Sequence, residues 1–230
     1  MPDFKTATVI ENTILADKFH QLTLETPEPF VYTPGQYISV KVADTKVNSY
    51  SVAGRINDRR FLLLIDTTPG GLGSQYVEKL QAGDQITYLG PFGQFTYRPN
   101  DPVDHILLVG TGCGISPLKS LVDDILMNQH VTLPVTLYFG LRFPQDIFWD
   151  DHFRKLHEDY PNFNYKICLS KADDNWPGVR GHVTDEIKKD HTTTAGYSAY
   201  VCGNPNMAAE TIDIITSLGC PKDRIYSERY

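Results

Sequence analysis

The chain has 230 residues, of which 41% are hydrophobic and 21% charged, and its formal net charge is −7. That length allows one large domain or two of about 100–130 residues, each able to bury a core. The acidic balance, without a long block of like charge, gives no support for binding nucleic acid or an anionic membrane, although a local basic patch could still serve an acidic protein partner. No charged stretch followed by an apolar one opens the chain, and the longest apolar run is Phe61–Ile65, far short of the ~20 residues of a membrane helix. A cytoplasmic location is expected. Cys113, Cys168, Cys202 and Cys220 form no Cys-x-x-Cys pair, and His152 and His157 lack a metal-binding spacing. Reduced thiols and no metal are therefore expected.

The first hundred residues alternate in short segments: 6–10, 20–25, 36–42, 50–53, 60–65 and 85–89. Turn formers such as Thr33-Pro-Gly35 and Ala82-Gly-Asp84 bound them, as expected of strands. Six such strands predict a closed antiparallel barrel, interrupted by one helix over 74–80. From about Val103 the rhythm changes. The continuous apolar run His105-Ile-Leu-Leu-Val-Gly110 reads as a parallel strand buried on both faces. An amphipathic helix over 117–128 follows. Strands at 134–140, 164–170, 199–203 and 224–227 then alternate with helices at 151–159, 183–189 and 206–218, which predicts an α/β domain with a parallel sheet. The linker is Tyr97-Arg-Pro-Asn-Asp-Pro102, dividing a barrel domain, 1–100, from a nucleotide-binding domain, 101–230.

Two glycine-rich helix starts carry the chemistry. Gly110-Thr111-Gly112-Cys113-Gly114-Ile115-Ser116-Pro117 follows a buried strand and opens a helix. There the backbone can approach a pyrophosphate, and unpaired N–H groups and positive potential await it. Gly70-Gly71-Leu72-Gly73-Ser74 repeats this in the barrel half, with a hydroxyl that can cap the helix or bond a phosphate oxygen. One glycine turn in each half points to two phosphate-bearing ligands.

Taken in order, the motifs resemble those of the ferredoxin–NADP reductase superfamily nearly end to end. They are Pro34-Gly-Gln-Tyr37, Asn48-Ser-Tyr50-Ser51, Gly71-Leu-Gly73-Ser74, Gly90-Pro-Phe-Gly93, Gly110 to Pro117, Tyr138-Phe-Gly-Leu-Arg142 with Asp146, and Cys202-Gly203-Asn-Pro205. The resemblance implies an FAD-dependent enzyme oxidising NADH or NADPH. It places Tyr50 beside the flavin ring, Ser51 near its reactive nitrogen and Cys202 where the nicotinamide arrives. The final Ser227-Glu228-Arg-Tyr230 resembles the family's terminal Glu-x-Tyr, making Glu228 and Tyr230 candidates for catalytic positioning and gating.

One departure stands out. The family's pyrophosphate-binding arginine is replaced by Asn48, which lacks a charge-assisted bidentate contact. Weaker FAD binding, a substitute cation such as Lys46, or FAD acting as a loosely held cosubstrate are the alternatives. For the nicotinamide, Ser170 and Lys171 favour the extra phosphate of NADPH, whereas Asp173 and Asp174 oppose it, giving a slight lean to NADH. With no ferredoxin or globin segment in the sequence, electrons are expected to pass to a separate protein such as a ferredoxin, a flavodoxin or an oxygenase component. A reductase of free flavins and a flavin-binding redox sensor without turnover are the competing functions.

Overall fold

The computed structural model describes residues 3–229. Strands β1 (Lys5–Ala16), β2 (Phe19–Glu25), β3 (Tyr37–Ala43), β4 (Lys46–Arg55), β5 (Arg60–Asp66) and β6 (Gln85–Phe92) close into an antiparallel barrel in the order β1-β2-β5-β4-β3-β6. Alternation drives the closure: Leu22, Leu24, Ile38, Phe61, Leu63 and Ile86 point inward and are buried, and the Phe30 ring stacks on Phe61 at 3.9 Å. Helix α1 (Leu72–Lys79) is the one helical stretch expected in this half. β1 runs past the expected end at Ile10, because shifts in register near Glu11 and near Leu15 bend it so that it pairs with both β6 and β2.

β4 is also longer than its alternating segment. Ser51, Val52, Ala53 and Gly54 are all buried in succession, which no half-exposed strand allows. The cause is the second domain: helix α2 (Ile115–Asp123) packs across the outside of β4 while the barrel core fills its inside. The same packing overturns the amphipathic reading of α2, whose residues Ile115 to Val122 are all buried between the sheet and β4. Nor does the α-helix reach Asn128. It ends at Asp123, and residues Asp124–Asn128 widen into a π turn, with Gln129 N–H donating to Asp124 O at 2.9 Å.

The second sheet contains β7 (His105–Thr111), β8 (Val135–Leu141), β9 (Phe163–Leu169), β10 (Val179–Arg180), β11 (Tyr197–Gly203) and β12 (Ile225–Arg229), all parallel, in the order β10-β9-β8-β7-β11-β12. α2 and α3 (Asp150–Asp159) cover one face, and α4 (Val183–Asp190) and α5 (Pro205–Ser217) the other. The connection from β6 to β7 already packs on this domain: the Phe95 ring meets Tyr200 edge-on at 5.9 Å, and Arg98 N–H donates to Tyr200 Oη at 3.0 Å. The division we propose near residue 100 lies within this connection. Among the described residues, no helix is long and apolar enough to cross a membrane.

Candidate active site

A cleft of about 790 Å³ opens between the two domains, within the usual range for ligand sites. One wall is the barrel, through Tyr50 and Ser51 of β4, Asp66 at the end of β5 and Thr68 just after it; the other is the carboxyl end of the parallel sheet, through Thr111, Gly112, Cys113, Arg142, Ser170 and Gly203. The crevice outside the carboxyl ends of the strands is where open α/β sheets bind ligands. The domains are joined at this point: Ser116 Oγ donates to Ser51 O at 2.9 Å, a buried bond between α2 and β4, and Tyr32 Oη lies 3.0 Å from Ser120 Oγ.

The nucleotide loop is locked against the end of β11. Thr111 Oγ1 accepts from Asn204 N–H at 3.1 Å. A β-carbon at Gly203 would lie 2.5 Å from Thr111 Oγ1 and 2.8 Å from Thr111 O, and the backbone there has φ +135°. Only glycine allows this approach. Gly112, at φ +54°, makes the turn and leaves open space above it, while Gly110 and Pro117 are buried beneath, in β7 and α2. The part of the loop that faces the cleft is the Gly112–Gly114 turn itself, since Ile115 N–H bonds back to that turn and Pro117 has no N–H to offer.

The phosphate features of the barrel form a second group. A β-carbon at Gly73 would collide with the Asn48 side-chain amide and lie 2.6 Å from Tyr50 Oη, so the start of α1 is pressed against β4 by the absence of a side chain. Asn48 Nδ2 donates to Tyr50 Oη at 3.4 Å. Gly71 is the N-cap and provides no side-chain bond, and Ser74 is buried. The N–H groups at this helix start, the Asn48 amide and the Tyr50 hydroxyl form a neutral donor set suited to a phosphate diester. Lys46 is exposed at the beginning of β4.

Cys202 is fully buried and lies behind Gly203, which forms the cleft surface. Glu228 pairs with Cys202 across the β11–β12 ladder, and its Oε1 would sit 3.6 Å from a β-carbon at Gly93. Burial raises its carboxyl above the usual carboxylate range. Tyr230 lies outside the described residues. Cys113 lines the cleft, but burial pushes its thiol far up, which suits packing and not nucleophilic attack.

The residues behind the lean to NADH are engaged elsewhere. The Asp173 carboxylate accepts from Asn175 N–H at 2.9 Å, and Asp174 pairs with Arg180. Lys171 Nζ stands 5.6 Å from the Phe143 ring centroid. Ser170, Arg142, Asp146, His182 and Thr184 are among the polar residues lining that end of the cleft. Sequence reasoning missed His182, and also Lys18, Asp66 and Thr68, because none stands in a patterned segment. Ser116 lay within the loop it singled out, but its bond to β4 has no local signal. Among the described residues no group of three His, Cys, Asp or Glu side chains is placed to hold a metal ion.

The comparisons with known proteins agree with this geometry. The oxidoreductase FAD-binding domain family matches residues 6–97, and the oxidoreductase NAD-binding domain family matches residues 108–213. The chain is 30% identical to the ferredoxin–NAD(P)(+) reductase component of the naphthalene 1,2-dioxygenase system of Pseudomonas putida, over 97% of this chain and 70% of that one. It is 29% identical to a component of the Na(+)-translocating NADH-quinone reductase of Klebsiella pneumoniae, over 83% of this chain but only 50% of that protein. Among solved structures, a cytochrome P-450 reductase from Amycolatopsis superposes with a TM-score of 0.91 at 28% identity, over 98% of this chain and 69% of that one. A ferredoxin–NADP+ reductase from Neisseria gonorrhoeae with bound FAD and NADP shares the fold, with a TM-score of 0.86 at 20% identity over 100% and 99% of the two chains. With both domain families matched in order and a relative of this identity and coverage, the chain belongs to the ferredoxin–NADP reductase-like family of FAD- and NAD(P)-dependent oxidoreductases.

Proposed function

We propose that this oxidoreductase draws electrons from NADH or NADPH through FAD and delivers them to a separate protein acceptor, a ferredoxin or the component of an oxygenase system. FAD, when bound, supplies the chemistry: it accepts a hydride from the nicotinamide and releases electrons singly to the next carrier. What the chain itself does is bind, orient and exclude water. Asn48, Tyr50, Gly71, Gly73 and Ser74 hold the FAD phosphates, and Ser51 borders the flavin ring. Gly110, Thr111, Gly112 and Pro117 shape the dinucleotide loop, with Arg142 toward the adenosine end. Cys202 supports Gly203 from behind at the nicotinamide end, and Glu228 flanks it from β12. The observation that carries this reading is the single cleft in which Tyr50 and Ser51 face Thr111 and Gly112, held in place by the Ser116–Ser51 bond of 2.9 Å. Alignment of two rings in a closed site is the protein's main lever on such a transfer.

The reductase component from Pseudomonas putida supports the choice of acceptor class, since it is named for a ferredoxin within a dioxygenase system. The neutral donor set at Asn48 favours one alternative, a reductase of free flavins. The discriminating experiment starts with gel filtration of protein loaded with FAD. Retained flavin, with faster NAD(P)H oxidation on adding an iron–sulfur ferredoxin than on adding FMN or riboflavin, supports the electron-transfer function. A colourless protein whose turnover saturates with free flavin refutes it.

A further inference from the structure

The nucleotide loop offers a dinucleotide only uncharged donors, and among the described residues of its own domain the lysine or arginine lining the cleft is Arg142, just past the end of β8. NADH and NADPH both carry an anionic pyrophosphate, approaching a protein of net charge −7. The barrel holds a cation on the loop's side of the cleft. Lys18 occupies the two-residue turn between β1 and β2, is half-buried, and lines the same cleft as Thr111 to Gly114.

Its place is fixed from both domains. Lys18 O accepts from Thr67 N–H at 2.9 Å, and its neighbour Phe19 pairs with Asp66 in the β2–β5 ladder. From the nucleotide domain, the Phe148 ring packs on Phe19 at 4.7 Å, and Trp149 Nε1 donates to Gln21 Oε1 at 2.9 Å. The nearby Asp66 carboxylate accepts from Thr68 N–H at 2.8 Å and from its hydroxyl; no ion pair between Asp66 and Lys18 occurs among the described residues. The fields of Asp66 and Lys18 both reach the thiol of Cys113, next to Gly112.

We propose that Lys18 is a dinucleotide-binding residue supplied by the barrel, its ammonium contacting the pyrophosphate that the Gly112–Gly114 turn holds from the other side. The proposal rests on the NAD(P)H reading of this cleft. It makes dinucleotide affinity a property of both domains at once, since the cation belongs to one and the amides to the other. The FAD phosphates have their own donors at the start of α1, so Lys18 serves the second ligand and not the first.

The test is equilibrium binding of NAD+, NADP+ and ADP-ribose, by isothermal titration calorimetry, to the FAD-loaded chain carrying Lys18, K18Q or K18R. K18Q is expected to weaken all three ligands about tenfold, or ~1.4 kcal/mol, and to flatten the salt dependence of binding. K18R should stay within about twofold of the parent, and flavin content and melting temperature should not move. Unchanged binding in K18Q overturns the proposal, as does a loss confined to NAD+ and NADP+ with ADP-ribose spared, or a loss of flavin in place of a loss of dinucleotide affinity. If the parent protein binds none of the three ligands, the NAD(P)H reading fails and takes the proposal with it.

Discussion

Replacing Gly114 by alanine isolates the close packing that shapes the nucleotide loop. Gly114 has φ −61° and ψ −15°, a conformation alanine adopts freely, so no backbone strain enters. On propensity alone, alanine in place of glycine within a helix is worth up to ~1 kcal/mol of added stability. Sterics oppose it. The new methyl group would collide with Cys202 O and lie 2.5 Å from Cys202 C and 2.6 Å from Gly203 Cα, all of them backbone atoms that no rotamer change can move. Relieving contacts that should be near 3.5–4.0 Å requires the loop and the end of β11 to part by about 1 Å. Overpacking of this kind costs roughly 1–3 kcal/mol, which outweighs the propensity gain. Three such backbone contacts place the cost at the upper end, about 2 kcal/mol net, and for a chain of this size 1 kcal/mol is about 2–4 °C of melting temperature, so a fall of roughly 4–8 °C is expected. Dinucleotide affinity should drop by at least about tenfold while FAD, which we place at β4 and α1, is retained. Calorimetric melting and NADP+ titration of G114A make the check. A melting temperature equal to or above the parent's, with unchanged NADP+ affinity, would refute the interlocking of the loop with β11.

Three further outcomes follow from the same geometry. Asn48→Arg should slow FAD loss during dialysis by adding a charged donor beside the start of α1; equal or faster loss would show that the phosphates lie elsewhere. Asp173→Ala with Asp174→Ala should leave the ratio of kcat/KM for NADH and NADPH within about twofold, because both carboxylates have other partners, and a marked shift toward NADPH would contradict this. His105 is held by burial, helped by His191 and opposed by Asp104, at about 4 against the ordinary 6.5. The unfolded chain therefore takes up this proton first as pH falls, so the contribution of neutral His105 is present above pH 6.5 and is lost toward pH 4. Allowing for partial exposure, this is roughly 1–2 kcal/mol. His105→Gln, which keeps a bond to Thr136 within reach, should narrow the difference in urea midpoint between pH 7 and pH 4.5; an unchanged difference would count against it.

Much of this architecture is legible in the chain. The alternation of residues 36–42 and 60–65 and the unbroken apolar run at 105–110 separate a barrel from a parallel sheet, because strand burial on one or both faces writes itself into local pattern. Glycine motifs mark the helix starts at Gly71 and Gly112 that we propose as phosphate sites. Features fixed by the other domain leave no such trace. The four consecutive buried residues of β4 and the buried run Ile115–Val122 of α2 exist because each element covers the other. Lys18 lines the cleft beside Phe19, whose ring meets Phe148, more than a hundred positions away. The partners of the acids at 173 and 174 are likewise hidden: proximity in sequence to Lys171 says nothing of Arg180 and the turn amide they satisfy.

We propose that NAD(P)H bound on the Gly112 loop reduces flavin bound at Tyr50 and Ser51 across one cleft. Anaerobic stopped-flow mixing of the FAD-loaded protein with NADH, and separately with NADPH, follows the flavin's visible absorbance directly. Bleaching within a single turnover, saturating with dinucleotide concentration and slowed in G114A, is the predicted result. Flavin that stays bound and oxidised in the presence of either dinucleotide would contradict the account.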